Sequence, residues 1–224
     1  MKTVIITGIS KGIGKALAKK FLYHDYQVIG TYLSQKPDFE NKNLRAYKLD
    51  LSSAKSIAAC AKKIKKIGKK IDILVNNAGV LLDEKETGVI PDKLRKTLEI
   101  NLIGPIDFTE KIISAINKGG HIVNISSTAG SLEKAGIAEG HYPYHYPCYK
   151  ISKTALNMYT RTLALRLKKS GIIVSSVHPG WVRTKMGGKE APMSPEDAAE
   201  GIYKTAVSNP ETGQFWFKSK KLPW

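Results

Sequence analysis

Short runs of β-branched and other apolar residues recur along the chain, at 3–7, 27–32, 44–49, 71–76, 121–125, 172–178 and 214–217. Each has the length and composition of a buried strand. Between them the apolar positions change period. In 13–23, Ile13, Leu17 and Phe21 fall at i, i+4 and i+8, while Lys15, Lys19 and Lys20 take the other side, which predicts a helix with one buried face. Helical periods also occupy 53–67, 92–117, 149–168 and 195–207. Ser194 ahead of Pro195, with Glu196 and Asp197 in the first turn, marks the start of the last helix. Strands that alternate with helices pair in parallel through right-handed crossovers. The predicted fold class is therefore α/β: a single doubly wound domain over 1–224, with a seven-stranded parallel sheet and helices on both faces.

Composition narrows this picture. At 42% hydrophobic and 25% charged over 224 residues, the chain is neither disordered nor collagenous, and its length suits one α/β domain. Cys60 and Cys148 are the only cysteines, too few for a disulfide framework or a zinc finger, as in a reducing compartment. The apolar run after Met1 and Lys2 stops at Gly8, too short for a signal peptide, and nothing approaches the roughly 20 apolar residues of a membrane helix. A cytoplasmic protein is expected. The excess of 36 Lys+Arg over 19 Asp+Glu, formally +17, favours anionic partners. Much of it, however, is Lys62, Lys63, Lys65, Lys66, Lys69 and Lys70, set around Ile57, Ala61, Ile64 and Ile67. No aromatic residue interleaves with these lysines, so they read as the solvated face of a helix rather than a nucleic-acid surface.

Candidate chemistry begins at Thr7-Gly8-Ile9-Ser10-Lys11-Gly12-Ile13-Gly14, between the first predicted strand and the first predicted helix. Glycines there permit a tight turn and bring backbone N–H groups close to a pyrophosphate at a helix start. The spacing G-x-x-x-G-x-G departs from G-x-G-x-x-G and lacks the Gly-Lys-Ser/Thr of an ATPase loop. A turn that needs positive φ is the plain alternative.

Tyr149 and Lys153 stand four residues apart, one turn of a predicted helix, which puts a phenol and an ammonium on the same face. With the glycine loop, this pair resembles the short-chain dehydrogenase/reductase family. Further motifs of that family follow in its order: Asp50-Leu51, Asn76-Asn77-Ala78-Gly79, Asn101, Ser126-Ser127 and Pro179-Gly180. His178-Pro179-Gly180-Trp181-Val182-Arg183-Thr184, Met186-Gly187-Gly188 and Leu222-Pro223-Trp224 look most like the branch of C-factor and sniffer-type carbonyl reductases.

The resemblance implies a Rossmann-type domain that moves hydride between a nicotinamide and a ketone, aldehyde or alcohol carbon. Tyr149 would give or take the proton. Lys153 would stabilise its phenolate and hold the nicotinamide ribose, Ser127 would orient the substrate oxygen, and Asn101 would hold a water chain behind the lysine. The implied cofactor contacts are Gly8, Ser10, Lys11, Gly12, Ile13 and Gly14 in the phosphate loop, Asp50 and Leu51 at the adenine, and Asn77, Ala78 and Gly79 at the adenosine ribose. Pro179, Gly180, Val182 and Thr184 complete the set along the carboxamide and diphosphate, and no metal is implied. Ser127 is chosen over Ser126 by its place in Asn124-Ile125-Ser126-Ser127 alone, since it lies 22 residues before Tyr149, farther than the family usually places it. Ser126 would then cap the strand end. Plain alternatives stand beside these roles: a packed aromatic with a snorkelling lysine for Tyr149 and Lys153, a helix-kinking amide for Asn101, turn formation for Asp50 and Asn77, and loop packing for Val182.

NADP(H) is expected in preference to NAD(H), because Thr31-Tyr32-Leu33-Ser34 offers no acid to repel a 2′-phosphate and, by the resemblance, Lys11 stands where basic residues of the family meet that phosphate. The extra segment before Tyr149 holds His141, Tyr142, Tyr144, His145 and Tyr146. Pro143 and Pro147 argue against a helix that would pair the histidines on a metal, and the stretch 140–147 reads as a wall of the substrate pocket. The expected partner is a small-molecule carbonyl or alcohol substrate, without nucleic acid or membrane, and with homo-oligomerisation left open. Two rivals remain: a redox-sensing or signalling protein that binds the dinucleotide without turnover, and a nucleic-acid binder acting through the basic surface.

Overall fold

The computed structural model describes residues 1–134 and 145–224. Among them are eight strands: β1 (Thr3–Ile6), β2 (Gln27–Tyr32), β3 (Leu44–Lys48), β4 (Ile71–Asn76), β5 (Ile116–Ile125), β6 (Ile173–Val177), β7 (Gln214–Phe217) and β8 (Lys220–Leu222). They form one sheet in the order β3-β2-β1-β4-β5-β6-β7-β8. The first seven pair in parallel, as expected, and an eighth strand, β8, is added, returning antiparallel to β7. Lys218 and Ser219 make that return with φ of 47° and 63°. Two successive left-handed residues match the twist of a hairpin, but neither is the Asn or Gly that signals such a turn in a sequence.

Alternation along the strands divides the core between two faces. Val4 and Ile6 of β1 pack with Val28, Val75 and Val123 beneath α1 (Gly12–Tyr23) and α6 (Pro195–Val207), burying Leu17, Phe21 and Ile202. Ile5 faces the other way, with Leu74, Ile122 and Val174 under α2 (Ala54–Lys66), α4 (Gly104–Ile112) and α5 (Pro147–Leu167). Strand order reverses between β1 and β4, so the loops leaving their C-terminal ends diverge to opposite faces and open a crevice. On α2, Ile57, Ala61 and Ile64 are buried and Lys62, Lys63, Lys65 and Lys66 exposed, as the sequence pattern requires, and Lys69 and Lys70 are exposed just past its end. Ser194 caps α6 in a capping box with Asp197.

The expected helix over 92–117 is four pieces. α3 (Pro91–Leu98) passes into a π-helical turn at Glu99–Ile103, then α4, then a short 3-10 turn at Ile113–Ala115; β5 begins at Ile116. The chain there is fitted to its neighbours: a Cβ on Gly104 would lie 2.2 Å from the Leu51 carbonyl oxygen. Among the described residues, no helix is long and apolar enough to cross a membrane.

Candidate active site

The glycine loop closes against the exit of β4. Thr7 Oγ1 accepts the amides of Asn77 and Ala78 at 2.9 and 3.0 Å, and Asn77 Nδ2 donates to the carbonyls of Thr7 and Gly8 at 2.8 and 3.2 Å. The Asn77 side chain is thus a brace for the loop. Gly8 and Gly12 sit at φ +75° and +55°, where other residues are strained. A Cβ on Gly14 would lie 2.0 Å from the Gly8 carbonyl oxygen, so only glycine lets α1 start this close to the turn. Helix α1 has no side-chain cap, so the protein supplies no side-chain acceptor for its first N–H groups, as an anion-binding helix start requires. Ser10 Oγ donates to Gln35 O, which ties the loop to the segment after β2, and Lys11 is exposed beside it. Ile13 is half-buried against the α1 side of the core.

The loop after β6 folds over this cradle. Thr184 Cγ2 lies 3.2 Å from where a Gly12 Cβ would be, so the stretch carrying Val182 and Thr184 meets the phosphate loop directly. Val182 is buried and bridges Met193. Pro179 is half-buried, and Gly180, at φ +92°, where other residues are strained, packs against the end of the Met193 side chain. At the far end, Asp50 Oδ1 accepts the amide and hydroxyl of Ser52 at 2.9 and 2.6 Å. Those two bonds hold its carboxyl below the usual carboxylate range. Leu51 is core, packed with Leu49 and Ile57.

Behind the crevice, Asn101 lies in the π-helical turn, 1% exposed. Its Oδ1 accepts from Val80 N at 2.8 Å, and its Nδ2 donates to Val80 O at 2.9 Å and Ser152 Oγ at 3.2 Å. It joins the β4 loop to α5. Gly79 fits between Asn101 Oδ1 and Lys153 Nζ, which would be 3.1 and 3.8 Å from an added Cβ.

Ser127, Tyr149 and Lys153 come together. Lys153 is 5% exposed; its Nζ donates to Ile125 O at 2.8 Å and lies 5.5 Å from the centroid of the Tyr149 ring. Burial disfavours the ammonium and pushes Lys153 down to about 8. Tyr149 is half-buried as a residue, but its hydroxyl is enclosed, and that burial pushes the phenol up to about 12 against a hydrogen bond with Ser127 that lowers it. The expected depression of the phenol by Lys153 is not seen: burial dominates, and the group that lowers it is Ser127. Ser127 Oγ also accepts from Ala129 N at 3.1 Å. Ser126 points away, buried, with its Oγ 3.5 Å from Lys153 O.

Sequence reasoning passed over Gly130. A Cβ there would fall 2.5 Å from the Lys153 carbonyl carbon, so the turn after Ser127 crosses α5 with no room for a side chain. Its signal was a glycine three residues past the serine. Tyr146 stacks edge-on against Tyr149 at 6.2 Å, and His145 is half-buried. The expectations for Gly140, His141, Tyr142, Pro143 and Tyr144 lie outside the described residues.

Comparison with known proteins shows the family and the fold. A family model described as short chain dehydrogenase matches residues 2–194. C-signal of Myxococcus xanthus is 32% identical over 160 residues, 69% of this chain and 93% of that protein. An NADP-bound putative short-chain dehydrogenase/reductase from Burkholderia multivorans superposes with a TM-score of 0.87 at 26% identity, covering 100% of this chain and 99% of that one. Carbonyl reductase Sniffer of D. melanogaster superposes at 0.88 with 25% identity, covering 100% of both.

Proposed function

The chain belongs to the short chain dehydrogenase family of oxidoreductases, in the branch of C-signal and Sniffer, and from that premise we propose that it is an NADP(H)-dependent carbonyl reductase whose proton donor is Tyr149. The observation that carries the reading is the convergence of Ser127, Tyr149 and Lys153 at the mouth of the crevice, with a hydrogen bond between Ser127 and the phenol.

Each side chain has a task set by its surroundings. A phenol held up at about 12 is protonated near neutrality, as reduction requires of the group that meets the developing alkoxide. Ser127 Oγ, at the same oxygen, orients the carbonyl and stabilises its growing charge. Lys153 sits over the ring, and its ammonium favours the phenolate that forms as the proton leaves. When bound, the nicotinamide supplies the hydride. The residues that would hold the dinucleotide are the glycine cradle, the backbone of residues 77–79, Asp50, the 179–184 loop and Lys153.

Preference for NADP(H) rests on charge. No acid stands at the end of β2, and Asp38, the next one along, is paired with Lys15 on α1 at 2.7 Å. Lys11 is exposed at the loop, where a 2′-phosphate would meet it. A similar fold is known with NADP bound. The substrate is a small aldehyde, ketone or quinone, and a screen of these three classes with NADPH and with NADH tests the reading. Turnover faster with NADPH is expected; no oxidation of either cofactor with any carbonyl would overturn it.

A further inference from the structure

Helix α5 carries Tyr149 and Lys153, yet it begins without a cap of its own. Tyr146, its N-cap, is left-handed at φ 51° with no side-chain cap bond, and Pro147 follows at the first helical position, where it has no N–H to offer. The first free amide of the helix is that of Cys148. Its acceptor comes from 65 residues away: Asp83 Oδ2, in the loop between β4 and α3, at 2.6 Å.

Asp83 is out of place by the ordinary rules. It is 1% exposed, its Oδ1 is buried with no hydrogen-bond partner, and an incompletely satisfied buried carboxylate is costly. The same loop grips the same turn twice more. Glu86 O accepts from Tyr146 N at 3.0 Å, and Cys148 Sγ donates to Ile90 O at 3.9 Å. A negative charge at the start of a 21-residue helix also meets the positive end of its dipole. Burial is the main reason that the Cys148 thiol is pushed up, and the charge of Asp83 adds to it.

We propose that Asp83 is a positioning residue for Tyr149. Its carboxylate sets the rotation and axial placement of the first turn of α5 and thereby keeps the phenol against Ser127. The inference rests on Tyr149 as the proton donor, so Tyr149→Phe is measured alongside. Asp83→Ala removes the acceptor, whereas Asp83→Asn keeps an oxygen able to accept from Cys148 N. Steady-state reduction of the best carbonyl, NADPH affinity by fluorescence and a thermal melt are compared across parent and variants.

Asp83→Ala is expected to fold and bind NADPH like the parent while kcat falls at least about tenfold and the carbonyl KM moves less than about threefold, because misplacing the donor slows chemistry without removing binding contacts. Asp83→Asn should restore kcat to within about threefold of the parent. Should Asp83→Ala fail to fold, Asp83→Ser, whose hydroxyl is too short to reach the amide, takes its place with the same expectations. Parental kcat in the Ala or Ser variant, or a kcat in Asp83→Asn as low as theirs, overturns the positioning role. A parent without turnover, or an active Tyr149→Phe, overturns instead the reading on which it rests.

Discussion

The ammonium of Lys153 donates to the carbonyl of Ile125, the last residue of β5, at 2.8 Å, and so joins α5 to the sheet where Ser126 and Ser127 leave it. One of the three donors of the lysine is used in this anchor, which leaves two for a ribose, a water or the phenolate. The bond also draws Lys153 into the interior, and burial there lowers its affinity for the proton. The contact thus fixes where the ammonium sits, while the packing around it sets its affinity for the proton.

Tyr149→Phe should lose turnover by a factor of about a thousand and keep NADPH affinity, since the ring is retained and the transferable proton is not. Lys153→Ala should differ by weakening NADPH binding as well, because it removes a ribose contact together with the charge. Fluorescence titration beside steady-state kinetics separates the two variants. Substantial turnover in Tyr149→Phe would sink the mechanism.

The two serines should part in behaviour. Ser127→Ala removes the hydroxyl at the phenol and should lower kcat about a hundredfold, while pushing the phenol still higher, because the Ser127 bond is what lowers it. Ser126→Ala loses only a long contact to the α5 backbone and should leave kcat within about threefold. Equal losses in the two variants would mean that Ser127 acts through loop structure alone.

NADPH should bind tighter than NADH in direct titration. Lys11→Ala should cost NADPH about tenfold in affinity, roughly 1.4 kcal/mol, and leave NADH nearly unchanged, since only NADPH carries the 2′-phosphate. Tighter binding of NADH by the parent contradicts the charge argument.

Stability should fall in mild acid through His121. The ring is buried in the sheet between β5 and α6: Nδ1–H donates to Ala206 O at 3.1 Å and Nε2 accepts from Ser175 Oγ at 2.9 Å, the tautomer that a carbonyl partner requires. Burial pushes its pKa down to about 4, whereas the unfolded ring titrates near 6.5. The unfolded chain therefore takes up the proton first. Stability is present in full above about 6.5 and is lost as pH falls toward 4, by up to roughly 3 kcal/mol. Denaturant melts from pH 7 to 4 measure the slope, and His121→Gln should flatten it.

Much of the fold was legible because its signals are local. The tight turn over Thr7 to Gly14 can be read from its glycines, since the backbone φ and close approaches they permit belong to those positions. The lysine face of α2 and the Ser194 capping box follow from spacing within one helix. Where a partner distant in sequence decides, the chain by itself was silent or misleading. The helical period over 92–117 continues through the π-helical turn, because that turn exists to bring Asn101 to Val80 and Ser152, residues that its own segment does not contain. Ser126 and Ser127 are indistinguishable as letters. A strand turns successive side chains to opposite sides, and only the docking of α5 says which side holds the phenol. The same holds for charge: sequence places a lysine one turn from a tyrosine, but the exclusion of water, which raises the phenol and lowers the ammonium, comes from everything packed around them. Pattern along the chain determined most of the elements and the glycine turn. Desolvation and contact between distant segments, which exist only once the chain has closed on itself, decided the site.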